Sequence, residues 1–330
     1  ILPGKEKTII LENVRKKVFP EHGEVVINFY FLQNEEVSWE SKNSVRGIAQ
    51  FVLRDFVPPK VFLEEKKRPY DLKKAGMGFR LDNIDLELCL SRVATDNNID
   101  VGHFVPQLKN TVSVNRWNIA TKKMVIKEQY VKETDTSFSI RTIYDHSLCK
   151  RLETEIIDYG NGRYELIMDV MSKSLDLVCC GFSMITEELF DECEWYGRGP
   201  HECYVDRKES ANIGLFIEKV SDMSHMYLRP QENGNRCDVR WLRLKGSNKA
   251  IKVTDLSGEG VNISVWDYLR EDLDNAEHIY ELDRNKKTTL NVYGKMSGVG
   301  GDLPGMEAYH EQYRLKPKKL YRTHLLLELE

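Results

Sequence analysis

Two acids across one bond, or an acid and a base on one atom, are the simplest chemistry a sequence can advertise, so the carboxylates and histidines are the starting point. Hydrolysis of a glycosidic bond needs a carboxylate pair about 5 to 9 Å apart. Glu192 and Glu194 stand two residues apart, which on a strand puts both on one face. Glu202 and Asp206 follow shortly after. With 52 Asp and Glu in 330 residues, such pairs also arise by chance, and a solvated or ion-paired surface is their usual place. His310-Glu311 begins like H-E-x-x-H, but Arg314 stands where the second His is needed, so the zinc motif fails. Proton transfer by a His acid and a carboxylate base would draw on His201, His225 or His310 with Glu232 or Glu311. The order of the residues does not decide whether any such pair meets.

Two segments are denser in unusual residues than ordinary strand ends. One runs from Trp195 to Arg207, WYGRGPHECYVDR, and the other from Arg229 to Arg236, RPQENGNR. Aromatic faces beside Asn, Glu and Arg are what sugar recognition uses. The same residues would equally make a buried polar network that fixes two loops against each other. Gly298-Val299-Gly300-Gly301-Asp302, followed by Leu303-Pro304-Gly305, reads as a turn-rich surface loop with no helix after it.

The elements that must position these residues are strands. Period-two alternation bounded by turn residues dominates. Val25-Ile27-Phe29-Phe31 alternates against Val26-Asn28-Tyr30-Leu32, a second strand spans about Arg46 to Leu53, and Lys7 to Glu12 completes the set, so residues 1–56 read as part of a small sandwich. Pro58-Pro59 and the charged run Glu64 to Pro69 cannot sit in a sheet interior, which makes residues 57–75 a linker. From Gly76 onward strands recur every 10 to 12 residues or so, as in an all-β domain. Gly160-Asn161-Gly162 and Gly246-Ser247-Asn248 each mark a hairpin turn. One helix is predicted, with Leu269, Leu273, Ala276 and Tyr280 on one face.

Composition limits the partners. Lys plus Arg (48) nearly balance Asp plus Glu (52), which gives no electrostatic case for nucleic acid or an anionic membrane. No apolar run approaches a membrane span. Seven cysteines, an odd number with no C-x-x-C pair, argue for reduced, buried thiols and against zinc. The opening Ile1-Leu2-Pro3-Gly4 reads as the middle of a longer polypeptide. Compartment therefore stays open, with cytoplasm favoured over periplasm.

The dense segments carry a resemblance. WYGRGPHECYVDR, then SDM…YLRPQENGNRCDVRWLRL, then GKMSGVGGD are similar, in order and spacing, to the C-terminal region of the β-galactosidases of glycoside hydrolase family 2. Thr95-Asp96-Asn97-Asn98 resembles the T-D-N-D turn of the same domain, and GEVVINFYFLQNEEVSWESKNSVRGIAQFVL the immunoglobulin-like domain before it. The resemblance implies a partial immunoglobulin-like β-sandwich over 1–56 and, over 76–330, a β-supersandwich of galactose-mutarotase-like type. It implies that the catalytic glutamates, and the Mg²⁺ of the complete enzyme, belong to a (β/α)-barrel that has no counterpart here. No catalytic residue, metal ligand or cofactor is then expected in this chain. Its partners would be that barrel, on the same longer chain or a separate large subunit, and carbohydrate, with oligomer contacts.

By position in the family, Asp96, Asn97, Asp302 and Met306 would face the sugar, although the family's Trp falls at Gly305 and no aromatic follows until Tyr309. Trp195, Gly197, Gly199, Pro200, Asp206, Arg207, Pro230, Glu232, Asn233 and Gly234 would be the structural motif. The segment leading into Thr95, Leu90-Ser91-Arg92-Val93-Ala94, departs from the family's F-x-R-A-P, and a strand pair is missing before it. The alternatives from other classes are a stand-alone carbohydrate-binding module of mutarotase-like fold and an aldose epimerase.

Overall fold

Alternation along the strands sorts side chains between a shared interior and an outer face, and in this computed structural model it produces three antiparallel sheets. The structure describes residues 4–10, 23–61, 69–98, 113–284, 286–302 and 309–330. The chain divides into two units, Ile1–Val57 and Pro58–Glu330.

In the first unit β1 (Val25–Leu32) pairs with β2 (Val45–Arg54), with Tyr30 opposite Ile48 and Ile27 opposite Phe51. The sandwich expected of residues 1–56 is represented, among the described residues, by this one pair. An incomplete sandwich should expose an apolar patch. Tyr30, Phe31, Phe51 and Leu53 are exposed on the two strands. Residues 7–10 of the expected strand Lys7–Glu12 lie in no strand, and 11–12 fall outside the described residues.

The second unit is a sandwich of a seven-stranded and a nine-stranded sheet. The smaller contains β3 (Lys73–Ala75), β4 (Gly78–Leu81), β5 (Ile84–Cys89), β10 (Cys179–Thr186), β13 (Arg236–Val239), β16 (Val261–Trp266) and β17 (Thr288–Met296), in the order β13-β16-β17-β10-β5-β4-β3. The larger contains β6 (Val125–Glu133), β7 (Phe138–Asp145), β8 (Cys149–Asp158), β9 (Arg163–Ser172), β11 (Glu192–Gly199), β12 (Asn212–Lys219), β14 (Trp241–Lys245), β15 (Ala250–Asp255) and β18 (Tyr321–Leu329), in the order β12-β11-β14-β15-β18-β9-β8-β7-β6. Tyr164, Leu166, Met168 and Val170 of β9 meet Phe182, Met184, Leu290 and Val292 in one core. This is the large all-β supersandwich.

β10 and β17 are buried along almost their whole length, so the smaller sheet is covered on both faces. On its second face Ser183 Oγ donates to Asn291 Oδ1 at 2.8 Å, and Asn291 Nδ2 donates to Ser264 Oγ at 3.1 Å. All three are buried. The outer face of the larger sheet is instead a ladder of ion pairs: Arg141–Glu153, Arg151–Asp169 and Arg322–Asp169 run across β7, β8, β9 and β18. Both hairpins marked by turn residues are present, as β8–β9 and β14–β15.

Three expectations need correction. The sheet begins at Lys73 and Leu72 is already buried, so the last residues of the stretch read as linker are part of the domain. The predicted helix from Leu269 to Tyr280 is only Arg270–Asn275; Leu273 is buried, but Tyr280 is 81% exposed in a separate 3-10 turn. A helix that was not predicted, α1 (Ser113–Lys122), buries Val114, Trp117 and Ala120. Among the described residues no helix is long and apolar enough to cross a membrane.

Candidate functional site

The two dense segments meet each other and the Thr95 turn, and the bonds between them are those of a lock. After β11, the chain from His201 to Arg207 lies against the segment that precedes β13. Glu202 accepts from the Gly234 backbone N–H at 2.5 Å, from the Tyr227 hydroxyl at 2.6 Å and from Arg207. Cys203 N–H donates to Asn235 O at 2.8 Å, and Asn235 Nδ2 donates to Cys203 O at 2.7 Å. Burial and the Glu202 carboxylate together push the Tyr227 hydroxyl up to about 12.

Local geometry explains the glycines at two positions. Gly234 has φ +76°, and a Cβ there would lie 2.9 Å from Met223 O. At Gly197 a Cβ would come within 2.6 Å of the Val239 Cα, because the strands of the two sheets cross closely there. Trp195 is fully buried against Phe216, with its Nε1–H on Arg198 O at 3.0 Å. Gly199–Pro200 is a cis peptide, and Pro230 is buried. Arg198 reaches Asp238 at 2.6 Å. Burial alone would raise the Asp238 carboxyl, but the bonds from Arg198 and Lys208 bring it below its ordinary value.

The turn after β5 is tied into the same network. The buried Arg92 donates to Val93 O at 2.9 Å, to Asn98 Oδ1 at 2.8 Å and to the Tyr309 hydroxyl at 3.1 Å. Asn98 Nδ2 also donates to that hydroxyl, at 2.7 Å. Asp96 and Gln231 exchange two bonds: Asp96 N–H to Gln231 Oε1 at 3.0 Å, and Gln231 Nε2 to Asp96 Oδ2 at 2.8 Å. Asn97 Nδ2 donates to Val299 O at 3.1 Å. Asp206 Oδ2 accepts from the Val299 and Gly300 N–H groups at 2.7 and 2.8 Å. The Gly-rich loop is thereby fixed to the first dense segment and to the Thr95 turn.

Glu232 is the centre of this arrangement. Its Oε2 accepts from Val93 N–H at 3.0 Å, and its Oε1 has no hydrogen-bond partner among the described residues. Burial raises its carboxyl to about 8, against the opposing pull of Arg92 and the Val93 N–H. At neutral pH Glu232 is therefore predominantly the uncharged acid. Asn233 donates to Gln231 O at 2.9 Å and to the Tyr268 hydroxyl at 3.2 Å.

The positions read from the sequence fall as follows. Asp96 and Asn97 are brought together with Gln231 and Val299 on one loop cluster. Asp302 is exposed and bonds to His310 Nε2 at 2.9 Å. Met306 lies outside the described residues. Trp195, Gly197, Gly199, Asp206, Arg207, Glu232, Asn233 and Gly234 hold the lock described above. Glu192 and Glu194 do share a face, and both pair with Lys245 at 2.9 Å. The acid–base pairs do not form. His201 bonds Ser210 at 2.9 Å, His225 packs on the Tyr227 ring, His310 bonds Asp302, and Glu311 pairs with Lys316.

Sequence reasoning missed Arg92, Asn98 and Tyr309 as a unit. The available signal was a lone Arg three residues before the Thr95 turn, where a carbonyl-rich turn would otherwise lie buried without donors.

Residues 63–327 match the family model described as "Beta galactosidase small chain". The β-galactosidase of Priestia megaterium is 28% identical over 242 residues, 72% of this chain and 22% of that protein. The β-galactosidase of Vibrio cholerae is 30% identical over 234 residues, 68% of this chain and 22% of that protein. The chain thus spans about a fifth of the length of these relatives. Among solved structures, a galactose mutarotase-like protein from Lactobacillus casei aligns over 62% of this chain and 73% of its own, at 10% identity and a TM-score of 0.34.

Proposed function

The chain belongs to the β-galactosidase small-chain family, and from that premise we propose that it works as the C-terminal part, or a separate small subunit, of a β-galactosidase. The glutamates that hydrolyse terminal non-reducing β-D-galactose residues would stand on a barrel carried elsewhere. This chain would brace that barrel and complete the rim of its pocket through Asp96, Asn97, Asp302 and Met306. The observation that carries the reading is the match over residues 63–327 in a chain that spans 22% of its relatives' length. Two features of the site support it. The polar side chains of the dense segments are spent on holding loops, and the carboxylates singled out as a catalytic pair are occupied by Lys245.

The Mg²⁺ of the complete enzyme would be held on the barrel. Among the described residues no three His, Cys, Asp or Glu side chains converge to hold a metal ion. Oligomer contacts and carbohydrate binding belong to the same proposal.

The test is hydrolysis of a chromogenic β-galactoside by the 330-residue chain, alone and mixed with a barrel-containing fragment. Inactivity alone and activity on mixing is the expected result. Activity of the chain alone would place a catalytic pair here and refute the reading. Silence in both, with sugar binding by titration, would favour the carbohydrate-binding module instead.

A further inference from the structure

A second region of the supersandwich carries chemistry that the rim does not use. A cavity of about 380 Å³ lies beside β5 and β10, lined among others by Glu87, Cys89, Ser91, Asn118, Ser183 and Arg270. Cys89 ends β5 and is 4% exposed. The Arg270 guanidinium stands 3.5 Å from its sulfur, and the Tyr293 hydroxyl 3.9 Å. Arg270 is itself fixed by donating to Ser91 O, to Ser91 Oγ at 3.0 Å and to Arg92 O at 2.9 Å. A second thiol is next to the first: the Cys179 thiol donates to Cys89 O at 3.9 Å.

We propose that Cys89 is a modification site, the thiol at which this chain reacts with small electrophiles that enter the cavity, with Cys179 as the resolving thiol. Geometry separates Cys89 from the other cysteines. Cys203 is also paired, with Cys237, but it is fully enclosed between Ala211 and Cys237. Electrostatics add to this. Cys179, Arg270 and Tyr293 draw Cys89 below the ordinary thiol value against the effect of burial, as Cys237 does for the enclosed Cys203, whereas burial pushes Cys179 well up, Cys149 to about 12 and Cys180 to about 11. With a small disulfide RSSR, the Cys89 thiolate attacks one sulfur, forms a mixed disulfide and releases one RS⁻. The Cys179 thiol passes its proton to the released RS⁻, attacks the Cys89 sulfur, forms the Cys89–Cys179 bond and releases the second RS⁻. One RSSR is reduced to two thiols while two protein thiols are oxidised to one disulfide.

The test uses the full chain under native conditions with 4,4′-dithiodipyridine, a neutral disulfide chosen because Asp85, Glu87, Glu271 and Asp274 also line the cavity. The expected result is a fast phase releasing two thiopyridone molecules per chain, about tenfold faster than release from the remaining cysteines. Cys179→Ser should release one and retain a mixed disulfide, and Cys89→Ser should lose the fast phase. A fast phase of wild-type rate and size in Cys89→Ser would overturn the proposal. A second measurement needs no variant: wild-type chain labelled with substoichiometric iodoacetamide is digested and mapped. Label on Cys89 supports the proposal, and label confined to any other cysteine refutes it.

Discussion

Replacing Glu232 by Gln should change how stability depends on pH, and the size of the change follows from the position of its carboxyl. The group titrates at about 8 in the folded chain, against an ordinary 4.5. Below pH 4.5 both states hold the proton and the group has no effect on stability. Between the two values the unfolded chain releases the proton while the folded chain keeps it, so stability falls as pH rises, and it levels off above 8. Integrated from pH 5 to pH 8, that is a loss of roughly 3–4 kcal/mol from this one group.

Gln has the shape of the protonated acid, and its carbonyl can take the same Val93 N–H bond. The variant should therefore lack this component of the slope. At pH 8 it should melt about 5–10 °C above the wild type, and near pH 5 the two should be close. The assay is thermal or urea unfolding of both proteins across this pH range, and the quantity to compare is the difference between their curves, in which all other titrations cancel. Parallel curves from pH 5 to pH 8 would refute the reasoning, because they would mean that Glu232 carries no proton in the folded state.

Four further variants probe the lock. Arg92→Ala leaves Asn98, Tyr309 and Val93 O without the buried guanidinium and should cost about 3 kcal/mol in urea unfolding; a cost below 1 kcal/mol would show that the turn holds without it. Arg236, buried over the Trp195 ring and bonded to Gly234 O and to Glu218 at 2.9 Å, should cost about 2–3 kcal/mol as Ala, whereas Arg207, whose side chain is half exposed, should cost less than about 1 kcal/mol. Equal melting points for these two would contradict the burial argument. Gly234→Ala forces a Cβ toward Met223 O at a positive φ and should cost about 2 kcal/mol, read as a lower midpoint of the same transition.

Much of the sandwich was legible because half-buried strands alternate and their turns carry Gly and Asn. The β8–β9 and β14–β15 hairpins could be placed for that reason. Alternation fails where a strand is buried on both sides, as in β10, whose CCGFSMIT has no polar face to mark it. The helix α1 escaped because its apolar face is narrow, with Val114, Trp117 and Ala120 among polar residues. Tyr280 misled for the opposite reason: its spacing fits a helical face, but the chain turns away at Ala276. At the site, the dense segments stood out because each contains its own Glu and Arg among Gly and Pro. The bond from Arg92 to Tyr309 joins residues 217 positions apart, and no local pattern predicts such a meeting.

The Ser183–Asn291–Ser264 chain across β10, β17 and β16 acts as a gauge of alignment. Apolar contacts tolerate sliding, because one Leu or Val can occupy the place of another. A hydroxyl–amide–hydroxyl row does not. Shifting β17 by one residue would set Leu290 or Val292 between the two serines and strand the fully buried Ser264 hydroxyl without a partner, besides turning the strand's apolar set away from the core. The row gives the centre of the smaller sheet one admissible pairing, and the loops that leave β5 and β17 inherit their positions from it.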